Sequence, residues 1–350
     1  MFYGGTALMA LFACIYLCLR KGNAFADSIT PPISLRHWAA AFFTIVFLGH
    51  IWWFLFYTYS GNVHSVSYVV IAVLDSVGLL TTIPGMLFAM LQDRKRTVWP
   101  IVLATIPYAV FGVLYIVFPG DLFLNIAIAY IMLVYVFFTI YMIFAVRQYG
   151  RWLRDNYADL EYKEVWVSQV LIIAFLIVII IDGFEYNDIT FGSFVRVLEM
   201  VFFGLLLWRI ETLPQLESVI VEQRAQQPQR QPLNISSNIE QLLAERCVVT
   251  QLYLQHDLTL LQLAQAVGTN RFYLSQYFSR QGITYNAYIN DLRINHFIRL
   301  YREATAAQQP IIAQQLASNS GYRSYSTFSL AFKQRMGQSV TAWMRNIAKN

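Results

Sequence analysis

Apolar residues in the first 208 positions come in long, nearly unbroken runs; beyond them the pattern shifts to short stretches of helical period. Seven runs, near 2–19, 37–59, 64–91, 98–118, 122–146, 165–182 and 189–208, read as membrane spans, since a helix needs about 20 mostly apolar residues to cross a hydrocarbon core. Turn-forming clusters separate them: Ser60-Gly61-Asn62, Pro119-Gly120-Asp121, and Gly183 with Asn187-Asp188. Gln92 to Arg96 is a charged break. The third run is long and contains Pro84-Gly85, so counts of six or eight fit the same pattern.

Basic residues alternate strictly between the loops. Arg20, Lys21 and Arg36 lie in the first, Arg94, Lys95 and Arg96 in the third, and Arg147, Arg151, Arg154 and Lys163 in the fifth. The second, fourth and sixth loops carry neither Lys nor Arg. The excess of Lys and Arg on cytoplasmic loops then puts the N-terminus outside and the C-terminus in the cytoplasm, in a bacterium at the inner membrane. Trp38, Trp52, Trp53, Trp99, Trp152, Trp166 and Trp208 fall mostly near span ends, where an interfacial belt would hold them. Leu11-Phe12-Ala13-Cys14 and Ala24-Phe25-Ala26 loosely echo cleavage sites. However, Arg20 and Lys21 follow the first apolar run rather than precede it, the reverse of a signal peptide.

Past Trp208, residues 209–237 read as a juxtamembrane helix (209–224) followed by a Gln/Pro linker, Gln226-Gln227-Pro228-Gln229-Arg230-Gln231-Pro232. Residues 238–350 are helical throughout. Asn238 is expected to cap a helix to about Leu254, with Ile239, Leu242, Leu243, Val249 and Leu252 inward. Thr259 caps a short helix; Gly268-Thr269-Asn270 is a turn; a second helix runs from Arg271 to about Arg280. Two short helices about a Gly-containing turn form a helix-turn-helix unit. A second unit follows: Ile311 to Gly321, the turn Tyr322-Arg323-Ser324, and a helix from Tyr325 to Met336. One long helix, Tyr285 to Ala304, connects them, a spacing that suits successive major grooves. The fold class is thus all-α: a polytopic bundle of about seven transmembrane helices over 1–208, and a cytoplasmic tandem helix-turn-helix domain.

Composition sharpens this division. Charged residues make up only 13% and mean hydropathy is +0.47, whereas a soluble globular chain carries nearer 25% charge. Lys and Arg number 11 against 12 Asp and Glu before Arg209, but 14 against 8 from Arg209 onward. The basic half points to nucleic acid or anionic lipid as its partner. Three cysteines (Cys14, Cys18, Cys247) cannot make a disulfide framework, and no metal or cofactor is expected. No nucleophile motif or Gly-rich phosphate loop argues for an enzyme, and His256 and His296 read as structural.

The stretch Leu258 to Arg345 resembles the AraC family of bacterial transcription regulators. The resemblance rests on Thr269-Asn270-Arg271 with Tyr273-Leu274-Ser275, on Leu292-Arg293-Ile294, and on Ser320-Gly321-Tyr322 with Ser324, Ser326-Thr327-Phe328, Phe332-Lys333 and Gly337. Tyr322, Val340, Trp343 and Phe297 depart from the usual residues by size, and Leu330 stands where many members carry a polar or basic one. The family pattern implies sequence-specific binding of double-stranded DNA. Its base readers would be Asn270, Arg271, Phe272, Ser275 and Gln276 in the first unit, and Arg323, Ser324, Tyr325, Ser326 and Ser329 in the second. Arg280, Lys333 and Arg335 suit phosphates, while Arg293 suits the joint between the units.

Ionisable residues at membrane depth are costly and by default suggest function, so Asp75, Arg196 and Glu199 are candidates for intramembrane signalling. Arg196 and Glu199, three apart, also suit a pair within one helix. The expected partners are DNA, the lipid bilayer, a second copy of the chain, and a small-molecule or membrane-protein signal. The competing reading is a seven-span receptor or transporter-like protein whose cytoplasmic tail binds a protein.

Overall fold

The computed structural model describes residues 2–19, 23–25, 29–61, 65–118, 121–160, 163, 165–167, 170, 173, 189–216 and 235–347. They divide into two compact units: Met1–Tyr149 with Val165–Ala225, and Gly150–Glu164 with Gln226–Asn350. The regular elements among the described residues are helices, and Tyr157 and Thr259 form an isolated antiparallel bridge.

The first unit is built from α1 (Phe2–Leu19), α2 (Ile33–Tyr59), α3 (Val66–Met90), α4 (Trp99–Ala104), α5 (Ile106–Val117), the apolar part of α6 (Asp121–Asn156) and α7 (Ile189–Thr212). Among the described residues, four of the seven expected spans are helices long and apolar enough to cross a membrane: Ile33–Tyr59, Val66–Met90, Trp99–Val117 and Leu122–Asn156. The first run gives a shorter apolar helix, Gly4–Leu19, and the last becomes α7. Most of the run near 165–182 lies outside the described residues. The third run is one continuous helix through Pro84. At Gly85 a Cβ would meet the ring of Trp38 at 2.3 Å, so only a residue without a side chain lets α2 and α3 approach this closely there.

Lipid is as apolar as the helix surfaces, so contacts inside a bilayer depend on close packing and polar pairs. Phe42 and Phe43 of α2 meet Phe203 of α7 edge to face, at centroid distances of 6.4 and 5.5 Å. The Thr6 hydroxyl and His50 Nε2 are 2.8 Å apart, joining α1 to α2. Loop ends are tied too: Gln92 Nε2 donates to Pro214 O at 3.0 Å, and Gln92 Oε1 accepts from Leu216 N at 2.8 Å.

In the second unit, α8 (Ile235–Leu243) runs into one wide π turn, Ala244–Val249. This differs from the expected single helix capped at Asn238: the helix starts three residues earlier, at Ile235, and its regular part ends at Leu243. The wide turn changes the phase of the side chains, so Cys247 is buried while Val249, expected inward, faces out. Gln251, at φ +56°, then breaks the chain direction before the short turn Leu252–Leu254.

Burial disfavours a thiolate and pushes the Cys247 pKa up from 9.0 to about 11. The folded state therefore holds the proton more tightly than the unfolded chain. The stabilisation is intact below pH 9.0 and is lost as pH rises toward about 11. At pH 8, Cys247 should resist iodoacetamide in the folded protein and react after denaturation, as read by site-resolved mass spectrometry. Rapid alkylation of folded protein would contradict its burial.

Candidate nucleic-acid interface

The rest of the second unit comprises α9 (Leu260–Val267), α10 (Arg271–Arg280), α11 (Tyr285–Ala306), α12 (Ala313–Asn319), α13 (Tyr325–Met336) and α14 (Val340–Ile347). Most of these starts are capped by a side chain. Thr259 and Gln262 form a reciprocal capping box at α9. Asn270 Oδ1 accepts from Tyr273 N at 2.9 Å to start α10, and Ser324 Oγ accepts from Thr327 N at 3.3 Å to start α13. Gly268, at φ +82°, ends α9 in the left-handed region that favours glycine.

The two pairs α9/α10 and α12/α13 each close on their own core. Leu263, Ala264, Val267, Leu274 and Phe278 belong to the first. Ala317, Phe328, Phe332, Val340 and Trp343 belong to the second, where the Phe297 ring of α11 lies tilted against Phe328, centroids 4.5 Å apart. Connector α11 therefore contributes to both cores, through Ile289 and Phe297 respectively.

Arg293, 1% exposed, sits at the joint. Its Nε donates to Tyr253 O and its Nη2 to Gln255 O, both at 2.7 Å, and its guanidinium lies 5.4 Å from the Tyr322 ring centroid. Burial pulls its pKa below the ordinary arginine value, opposed by Tyr322, Tyr285, Asp159 and Asp257. His256 Nδ1 lies 3.1 Å from Gly321 O, and His296 Nδ1 lies 3.0 Å from the Tyr253 hydroxyl, so both histidines hold structure.

The outer face of α10 presents Phe272 (63% exposed), Ser275, Gln276 and, in its last turn, Arg280. Asn270, expected among the readers, has its carbonyl oxygen engaged as the cap. Arg271 is half-buried, and its Nε donates to Asn156 Oδ1 at 2.9 Å; its Nη2 bonds the same oxygen. On α13, Ser326 is exposed, Ser329 half-buried, and Tyr325 leans on Phe328 at 5.7 Å. Ser324 serves as the cap, Arg323 Nη1 bonds Asp257 Oδ2 at 3.1 Å, and Arg335 pairs with Asp291. Lys333 lies exposed in the last turn, and Leu330, 60% exposed, adds an apolar patch to the same helix.

Three residues with direct bearing on this face escaped the sequence reading. They are Asn156, which holds Arg271; Asp257, which holds Arg323; and Arg246, which caps the end of α9 through Val267 O at 3.2 Å. Contacts spanning such sequence separations leave no periodic signal.

In the first unit, Arg196 Nη1 bonds both Glu199 oxygens at 2.8 Å within α7. Trp53 Nε1 donates to Asp75 Oδ2 at 3.3 Å. A cavity of about 640 Å³ has apolar walls from Leu80, Ile83, Phe88 and Phe138, with Arg94 and Lys95 at its edge.

The family described as Helix-turn-helix domain matches residues 263–346, an interval that runs from within α9 through the connector and the whole second helix pair. Comparison with curated proteins and with solved structures returned no match. Residues 263–346 are thus an AraC-type DNA-binding helix-turn-helix domain, carried in this chain together with an N-terminal set of apolar, membrane-capable helices.

Proposed function

We propose that this chain is a membrane-tethered, sequence-specific transcription regulator. One observation carries the reading: a single chain joins two helix-turn-helix pairs on a rigid connector to four helices that suit a bilayer. The N-termini of α10 and α13 are the natural reading ends, since the start of a recognition helix meets the base edges. Arg271, Ser275 and Gln276 are the strongest readers, with Arg matched to guanine and Gln to adenine. Arg280 and Lys333 bind phosphate and set the affinity without reading sequence.

The alternation of basic loops supports a C-terminal domain in the bacterial cytoplasm and an N-terminus outside. A signal, taken up by the 640 Å³ cavity or felt through Asp75 or the Arg196–Glu199 pair, would alter how the domain engages DNA, alone or as a homodimer.

Full-length protein in lipid nanodiscs should enrich particular duplexes from a random-sequence pool. Arg271→Ala should then weaken binding to them by about 1–3 kcal/mol and relax the preference at one base pair. Arg280→Ala should weaken all duplexes alike and flatten the salt dependence. Equal binding to every sequence would exclude a reading function. A reporter fused after residue 208 that proved extracytoplasmic would overturn the orientation.

A further inference from the structure

The second unit contains a segment from the other half of the sequence: Gly150–Glu164, which includes the end of α6 and the residues after it. Asn156, Tyr157, Ala158 and Asp159 are 2–5% exposed. For a polar stretch following a membrane-capable helix, such burial has a specific cause.

The segment is docked against the first helix-turn-helix pair at several points. Ala158 N donates to Leu258 O at 3.3 Å, beside the Tyr157–Thr259 bridge. Asn286 Nδ2 donates to Tyr157 O at 3.2 Å and to Ala158 O at 2.7 Å. At its leading end, Asn156 Nδ2 donates to Trp152 O at 2.6 Å, which turns Oδ1 toward the Arg271 guanidinium. At its trailing end, Lys163 Nζ lies 3.3 Å from Asp257 Oδ1, and the other Asp257 oxygen holds Arg323. Both arginines proposed to read DNA are therefore engaged, Arg271 directly and Arg323 through a carboxylate shared with Lys163.

We infer that Asn156–Asp159, with Lys163, is a brake on DNA reading, engaged in this structure. The inference rests on the DNA-reading role of Arg271. The Nε/Nη2 edge that pairs with Asn156 is an edge an arginine can present to guanine O6 and N7, and one edge cannot serve both. DNA must displace Asn156 to gain that contact, so docking lowers affinity for the preferred sequence. Phe272, Ser275 and Gln276 remain exposed, so the brake costs one contact rather than closing the whole face. Asn156 is also the last residue of α6, which gives a bilayer-side event a covalent route to the brake.

The test uses full-length protein in nanodiscs and duplexes enriched by the wild type. Asn156→Ala should tighten binding about 10-fold, the scale of a charge-assisted hydrogen bond. Asn286→Ala, which loosens the segment without touching Arg271 or Asn156, should tighten it in the same direction. Asn156→Asp should weaken binding, because a carboxylate holds the guanidinium harder. In an Arg271→Ala background, Asn156→Ala should change nothing. If Arg271→Ala weakens binding while Asn156→Ala and Asn286→Ala leave it unchanged or weaker, the segment is only structural support and the brake is wrong. If Arg271→Ala has no effect, the reading of DNA by Arg271 fails and the brake falls with it.

Discussion

Arg293→Ala should destabilise the DNA-binding unit by about 3–5 kcal/mol, combining one buried and one part-buried carbonyl left without this donor and the void left by the side chain. The carbonyls belong to Tyr253 and Gln255, just before the first helix-turn-helix pair, whereas the guanidinium face rests on Tyr322 in the turn of the second. The loss would fall on the joint between the pairs. Gly321 explains why little can compensate: a Cβ there would meet Leu254 backbone atoms at 2.8 Å and Arg293 Nε at 3.0 Å, so the backbone already closes around the guanidinium. Arg293→Lys should recover part of the stability, since it keeps a charge but cannot span both carbonyls. Hydrogen exchange on the full-length protein reads this directly, because amides in α9 to α14 report the opening free energy of their own unit. Unchanged exchange in both helix pairs would show that Arg293 is not the joint. Specific DNA affinity should fall in the same variant, because two reading helices whose spacing is no longer fixed must be ordered on binding.

The tandem helix-turn-helix was legible because its signals are local. A cap at Thr259, a left-handed Gly268, a cap at Asn270 and apolar residues at helical spacing act within a few positions of one another, and the helices form where those signals put them. The same locality explains an ambiguity at Asn270 and Ser324. A side chain at a helix N-terminus suits both capping and base reading, and here each has its oxygen on the cap. Val249 was misplaced because a π turn inserts a phase change that a constant period of 3.6 cannot anticipate. The docking of Asn156 on Arg271 was hidden for a different reason: it joins residues 115 positions apart through one side-chain amide. The apolar runs announced α2 to α6 by length alone, whereas Pro84-Gly85 left it open whether the third run is one helix or two, and α3 is continuous through it.

Glu211→Ala should destabilise the first unit by about 3–5 kcal/mol, the cost of removing one partner from a buried ion pair. Glu211, at the end of α7, is fully buried, and its Oε1 lies 3.6 Å from Arg36 Nε at the start of α2. Its Oε2 accepts from the Tyr16 hydroxyl of α1 at 3.2 Å, and its backbone oxygen accepts from Asn23 Nδ2 at 2.6 Å. One carboxylate therefore gathers the ends of three helices, α1, α2 and α7, at the level of the first basic loop. Removing it takes the Glu211 carboxylate from the Arg36 guanidinium in a largely buried site, where side-chain exposures are 15% and 0%. Glu211→Gln keeps an acceptor for Tyr16 but loses the charge, so its cost should lie between wild type and alanine. The double variant Arg36→Met/Glu211→Met should be more stable than either single variant, because an apolar pair removes both charges together and fills the volume. Thermal unfolding of purified protein in one detergent, compared across this cycle, isolates the coupling between the two residues. Additive losses would mean that Arg36 and Glu211 act independently. A coupling of opposite sign would mean that the pair strains the helix ends rather than holding them together.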